Sequence, residues 1–325
     1  MKKWLVRGAA VLAGTVTVLV AALALMPVLE GPLDEPAYAA PPLPGGWPDA
    51  RPPQALAYSL IHTSTTQATP EALVVAGGRW GTERRPLHAA VLVRHPQGSF
   101  LFDTGLGRRV AEQFAVNSAF HRQFFAYEGL APAADQLAAH GVPVGEIRRI
   151  IPSHMHWDHV SGLKDFPDAE VWVGAEELEH ARHGQPPGFI ASQFDGDVRW
   201  RLFEFDGPAY MGYPASLDLF GDGSAVLVPM QGHTAGQVGL FLALPSGQRL
   251  FFIGDTTWAL EGVTAPAERP WLVRRLSNVD HDEARNRAAI VHVHRLMRAF
   301  PELVVVPAHD ERVAARLPRF PAFAR

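Results

Sequence analysis

Five stretches of this sequence share one layout, a short apolar run that ends on aspartate or histidine. They are "SFLFDTG" (residues 99–105), "IIPSHMHWDH" (150–159), "AVLVPMQGH" (225–233), "LFFIGD" (250–255) and "ELVVVPAHD" (302–310). Runs of β-branched and aromatic residues bounded by turn residues read as strands, so each polar group stands at the lip of a rigid sheet, where a site is built with precision. The densest stretch places His154, His156, Asp158 and His159 within six positions. Side chains two apart in extended chain point the same way, so His154 and His156 can converge on one ion. Asp158 and His159 follow after Trp157 and can serve a second ion nearby. The chain has no cysteine. Disulfides and thiolate metal sites are therefore excluded, and any metal must be held by nitrogen and oxygen.

The 325 residues suffice for a large core. A net charge of -4 and no long basic run argue against nucleic acid as a partner. Lys2, Lys3 and Arg7 precede Gly8–Met26, which carries no charged residue. That run just reaches the roughly 20 residues a bilayer crossing needs, so residues 1–27 are expected to be a signal anchor or signal peptide. The uncleaved anchor is preferred, although "AYAA" (Ala37–Ala40) offers a cleavage pattern. The expected location is therefore periplasmic or extracellular, with the chain tethered to the inner membrane. Residues 28–53, rich in proline and glycine, are expected to be a linker, and residues 54–325 the folded domain. Within it, "ALAYSLIHT", "ALVVAG", "HAAVLVRH", "AEVWVG", "WRLFEF" and "VGLFLAL" add further strands. Helices are expected at "PAADQLAAHG", at "AEELEHARHG" and from about His281 to Phe300. Strands capped by helices suggest two packed sheets with helices outside, an α/β fold of two similar halves.

The set "HMHWDH", "GHTAG", "IGD" and "PAHD", in that order, resembles the metallo-β-lactamase superfamily over about residues 55–315. The resemblance implies an αββα sandwich of mixed β-sheets with two divalent cations in a cleft, zinc being the expected metal. It implies that His154, His156 and His233 hold the first ion. Asp158, His159 and His309 would hold the second, with Asp255 bridging. Catalysis would fall to Asp158 and Asp255 around a metal-bridging hydroxide, and Asp103 of "LFDTG" would support the ligands. Ser161 stands where the family often has glycine. The bridging Asp255 separates the chain from true β-lactamases. The "HD" after "VVP" makes it most similar to the N-acyl-homoserine lactonase branch, which implies a small ester or lactone as substrate. Where that branch carries a tyrosine, the segment after Asp255 offers Trp258, and an indole only donates. The alternatives are phosphotriester hydrolysis of the methyl-parathion-hydrolase kind, thioester hydrolysis of the glyoxalase kind, and a non-catalytic metal-binding module. A homodimer is compatible with any of these.

Two loose segments are candidates for shaping a pocket: the aromatic-rich residues 114–129, which read equally well as a core segment, and residues 183–197. His292 and His294 lie on a helix, where residues two apart do not share a face, and are rejected as ligands. His62, His88, His95, His121, His140, His180, His183 and His281 show no partner at a persuasive spacing.

Overall fold

The computed structural model describes residue 25, residues 29–277 and residues 279–325. The expected anchor, residues 1–27, lies outside the described residues apart from Leu25. Among the described residues no helix is long and apolar enough to cross a membrane.

In chain order the first strands are β1 (Ala57–Thr66), β2 (Thr69–Pro70), β3 (Glu83–Arg84), β4 (Leu87–Arg94), β5 (Phe100–Phe102), β6 (Tyr127–Glu128), β7 (Arg149–Ile151), β8 (Glu170–Gly174) and β9 (Arg199–Phe203). The rest are β10 (Leu217–Asp218), β11 (Ala225–Pro229), β12 (Val238–Ala243), β13 (Arg249–Phe252) and β14 (Leu303–Val306). They form a seven-stranded sheet, β6-β1-β4-β5-β7-β8-β9, and a five-stranded sheet, β10-β11-β12-β13-β14, with β2 and β3 as a small ribbon. Both large sheets are mixed. β5, β7, β8 and β9 run parallel, as do β13 and β14, whereas β1–β4 and β10–β13 pair antiparallel.

The sandwich forms because apolar residues face both ways. Every residue of β12 is buried, as expected of an internal strand covered on both faces. One cluster, including Leu60, Val93, Phe102, Leu227, Leu240, Phe252 and Val306, fills the space between the sheets. The outer face of the larger sheet is covered by helix α1 (Ala133–Ala139), which buries Ala133, Ala134 and Leu137, and by helix α2 (Ala175–His183), which buries Leu178 and Ala181. Beyond α1, Gly141 has φ +73, a left-handed conformation that suits glycine after a helix end. The short helix α3 (Trp271–Ser277) borders the strand ends. The long helix α4 (Glu283–Ala299) covers the smaller sheet with Ile290, Val293 and Leu296. Asp282 caps α4 by accepting from the Arg285 N–H at 3.0 Å. The order is helix, sheet, sheet, helix, an αββα sandwich.

Three expectations are revised. "ALVVAG" is no strand: Glu71–Leu73 forms a single 3-10 turn. Val74 and Val75 are buried against Ala259 and Ala267 instead, so the apolar run serves a loop contact rather than a ladder. The halves are unequal, seven strands against five. The Pro/Gly-rich segment, expected as a linker, is laid down along the domain: Leu33, Leu43 and Trp47 pack on the cluster beneath α4, and the Trp47 ring lies 4.7 Å from that of Phe300.

Candidate metal centre

Topology brings the polar strand ends to one edge. β5 and β7 are parallel, so Asp103 and the His154–His159 turn emerge together. β11 and β13 both pair antiparallel with β12 and therefore run the same way. β14 is parallel to β13. His233, Asp255 and His309 thus leave the smaller sheet side by side. β4 runs against β5, so its start, with His88, reaches the same edge.

All seven residues expected to hold metal meet there. The ligand atoms of His154, His156 and His233 lie within 4.8 Å of one another, and so do those of His154, His159 and Asp255. A third group joins Asp158 and His309 with His88, a histidine with no partner at a persuasive spacing in the sequence. His88 Nε2 is 3.6 Å from Asp158 Oδ2, while its Nδ1 meets the Ser64 hydroxyl at 2.7 Å. His156 Nδ1 and His233 Nε2 are 2.9 Å apart. His159 Nε2 lies 3.9 Å from Asp158 Oδ2 and 3.2 Å from Asp255 Oδ1. Buried polar atoms normally find partners, yet His154 Nε2, His159 Nε2 and Asp255 Oδ1 are buried without a hydrogen bond. The last two are close in distance but misaligned for a bond. A set of imidazoles and carboxylates left open towards one another suits a divalent cation.

The atoms that face away from the centre are firmly tied. His309 Nδ1–H donates to the Leu87 carbonyl at 2.7 Å, and His233 Nδ1–H donates to Asp280 at 3.0 Å. His159 Nδ1–H donates to Asp103 at 3.0 Å. Such outward bonds fix the tautomer and aim the other ring nitrogen. Asp103 also accepts from the Ser153 N–H at 2.6 Å and the Ser153 hydroxyl at 3.0 Å. Replacing Asp103 by asparagine would turn a donor towards one of these donors. It is expected to lower metal affinity tenfold to a hundredfold, measured by competition with a chromophoric chelator.

Electrostatics sort the imidazoles into two kinds. Burial drives His154 and His156 well below the usual histidine value, with neighbouring imidazoles adding to the effect. Burial likewise lowers His233, helped by the Arg269 guanidinium. These rings are neutral and ready to coordinate. Burial opposes charge on His159 and His309 too, but Asp103 and Asp255 outweigh it for His159, and Asp255 does so for His309; both are raised. Asp255 is held well below the carboxylate range, because His309 and His159 overcome its burial.

Three supporting groups carried no sequence signal. Asp280 joins His233 to the fully buried Arg269, whose other nitrogen donates to the Asp255 carbonyl at 2.5 Å. Glu177, buried on α2, accepts from the Met155 N–H at 2.7 Å and the Gly236 N–H at 2.9 Å, tying together the two histidine loops. Glu177→Ala would orphan both donors at about 1–3 kcal/mol each, so a loss of about 3 kcal/mol is expected in urea unfolding. Gly232 has φ +144, and a side chain there would meet the Asn286 backbone nitrogen at 2.4 Å, so only glycine lets the His233 loop pass the start of α4.

The ligands open into a cleft of about 810 Å³, lined beyond them by Leu73, Phe124, Phe125, Phe189 and Leu276 among others. The aromatic-rich segment 114–129 divides its duties. Phe114 packs at 4.3 Å on Trp157 in a small core, whereas His121 and Gln123–Ala126 line the cleft. Residues Gly184–Phe189 of the second loose segment line it as well. Trp258 donates its indole N–H to Asp255 Oδ2 at 2.8 Å. His292 and His294 turn to separate carbonyls, those of Met211 and Val263, and take no part.

Residues 85–309 match the model of the metallo-beta-lactamase superfamily. The chain is 31% identical over 234 residues to a probable metallo-hydrolase of Mycobacterium tuberculosis, a match spanning 68% of this chain and 73% of that one. It is 26% identical over 179 residues to an N-acyl homoserine lactonase of Azorhizobium caulinodans, spanning 52% and 65% respectively. Among solved structures, an N-acyl homoserine lactone hydrolase with its product N-hexanoyl-L-homoserine at the catalytic metal centre aligns with a TM-score of 0.65. It is 15% identical, and the match covers 84% of this chain and 100% of that one. A dizinc quorum-quenching lactonase aligns with a TM-score of 0.56 at 14% identity, covering 86% and 92%. The structural likenesses speak for the fold.

Proposed function

The chain belongs to the metallo-beta-lactamase superfamily and is a metal-dependent hydrolase, and from that premise we propose that its cleft hydrolyses an ester or lactone with two divalent cations, zinc being the best match. His154, His156 and His233 would hold the first cation, and Asp158, His159 and His309 the second, with Asp255 lying between the two sets. The observation that carries this reading is the convergence of these seven residues from both sheets, with three buried ligand atoms left open. None of the expected ligands is missing, which sets the chain apart from a non-catalytic metal-binding module. When bound, two such cations supply ionised water near neutral pH and draw charge from a carbonyl oxygen.

The protein's own groups do the rest. Hydrolysis adds water to the acyl carbon, breaks the acyl–oxygen bond and leaves an alkoxide that needs a proton. Asp158, with 12% of its side chain exposed against 5% for Asp255, is the carboxylate best placed to take the proton that the attacking water gives up and pass it to the alkoxide. The apolar walls at Phe124, Phe125 and Phe189 receive the acyl part and exclude water. The indole N–H of Trp258 is engaged by Asp255, so a substrate carbonyl must find another donor than the one lactonases offer at this point. An ester or lactone other than an acyl-homoserine lactone accords with that difference.

Metal analysis of purified protein is expected to give close to two ions per chain. A panel of lactones, aryl esters, phosphotriesters, thioesters and β-lactams, run on metal-replete protein, then tests the chemistry. Lactone or ester turnover supports the reading, and phosphotriester turnover alone would replace it. The positive residues ahead of Gly8–Met26 support an exported, membrane-tethered chain. N-terminal sequencing of the mature protein decides this, and a start at Ala40 would overturn it.

A further inference from the structure

The N-terminal segment is bonded to the domain well upstream of Ala40. Glu35 pairs with Arg295 at 3.0 Å and with Arg298 at 3.1 Å. Arg295 also donates to the carbonyls of Glu35 and Ala39, both at 2.7 Å. The Leu33 N–H donates to the Pro266 carbonyl at 2.6 Å, and the Trp271 N–H donates to the Glu30 carboxylate. Cleavage after "AYAA" would discard every one of these bonds. The folded domain is therefore built to keep the segment that joins it to the charge-free run Gly8–Met26.

The first residues of that described segment lie beside α3. Glu30 lies against Trp271, and a side chain built on Gly77 would lie 3.5 Å from the Glu30 carbonyl. This place is the lip of the cleft, because Leu276 and Ser277 of α3 line the cleft itself. The surface around it is apolar and cationic. Leu29 is 80% exposed, Trp271 49% and Leu276 46%. Arg275 is exposed, and so is Arg79, with 80% of its side chain in solvent and Glu71 at 3.9 Å on its inner side. Clustered exposed apolar residues mark interaction surfaces. Tryptophan with leucine and arginine is the composition of a bilayer interface, the ring among the headgroups and the cations on anionic lipid.

We infer that this lip docks on the surface of an anionic bilayer, held there by the chain's own N-terminal run, so that the cleft opens against the headgroups and takes an acylated amphiphile from the membrane. The docking rests on the lip and on the charge-free N-terminal run; the substrate class rests on the hydrolase reading.

The absence of cysteine from the chain makes a direct test simple. Trp271→Cys and Arg275→Cys variants of the full chain are labelled with an environment-sensitive fluorophore and reconstituted in phosphatidylcholine–phosphatidylglycerol vesicles carrying nitroxide lipids. Leu202→Cys, at a 54% exposed position on the edge strand β9, is the control. Labels at 271 and 275 are expected to shift to the blue and to be quenched about fivefold more than the control. Quenching equal to that at 202 overturns the docking. So does a blue shift without quenching, which assigns the lip to a second copy if it grows with protein density and to the folded-back N-terminal run if it does not.

For the substrate, Trp271→Ser combined with Arg275→Glu is expected to slow hydrolysis of a vesicle-held long-acyl lactone about fivefold and to leave a short soluble ester unchanged. Equal effects on both substrates overturn entry from the membrane. Lipid quenching with no hydrolysis of any ester or lactone removes the hydrolase reading and leaves the docking intact.

Discussion

Asp255→Ala is expected to strip the cleft of metal and of turnover together. The carboxylate is the junction of the centre. One oxygen takes the Trp258 indole at 2.8 Å and His309 at 3.0 Å, and the other lies 3.2 Å from His159 without a bond. It is also one of the anions that raise His159 and His309, so removing it leaves His309 with Asp158 alone, at 3.4 Å, as a nearby counter-charge. Metal ions contribute several kcal/mol of transition-state stabilisation. Losing about 4 kcal/mol of it lowers kcat/KM about a thousandfold. Metal content should fall from two ions per chain to one or none. Two retained ions with undiminished hydrolysis would defeat the proposed ligand set.

The second large effect is expected at a residue that acts through His233. Asp280 accepts from His233 Nδ1–H and from Arg269, which is fully buried. Burial works against its charge, but the guanidinium and the His233 hydrogen bond outweigh it, so the carboxyl is held below its usual range. Asp280→Ala would leave a guanidinium in the interior without an anion, at about 3–5 kcal/mol. The same change would free His233 to rotate, lowering metal affinity about tenfold to a hundredfold. Urea unfolding of the chelated protein reads the first effect, and a zinc titration reads the second. Asp280→Asn keeps the shape, and should recover part of the stability while recovering little of the aim of His233. If both variants unfolded like the parent, Arg269 would have another anion and the assignment would fail.

The convergence of the seven candidate ligands was legible in the sequence because each lies in a loop that follows an apolar strand, and such a loop has few places to go once the strand is buried. The fold was legible for the same reason: continuous apolar runs such as "VGLFLAL" need cover on both faces. His88 shows the limit. It begins a strand rather than ending one, so its arrival at the centre depends on β4 pairing antiparallel with β5, which a lone histidine does not announce. Asp280 and Arg269 sit in irregular chain on either side of α3, and Glu177 lies on a helix among other glutamates, so their roles exist only after the chain has closed. "ALVVAG" misled because burial alone does not distinguish a ladder from a loop. Gly77 and Gly78 turn the chain so tightly that a side chain at Gly78 would lie 2.4 Å from the Glu71 carbonyl.

The centre draws its ligands from two separate hydrogen-bonded ladders. The larger sheet supplies Asp103 and the His154–His159 turn, and the smaller supplies His233, Asp255 and His309. Backbone bonds that bridge these two groups of loops are few, the Val238 N–H to the Ser153 carbonyl at 2.8 Å among them. A cation gripped from both sides would act as a cross-tie as well as a reagent. Its removal is expected to unlatch the cleft edge of the sandwich first, while the opposite edge stays shut.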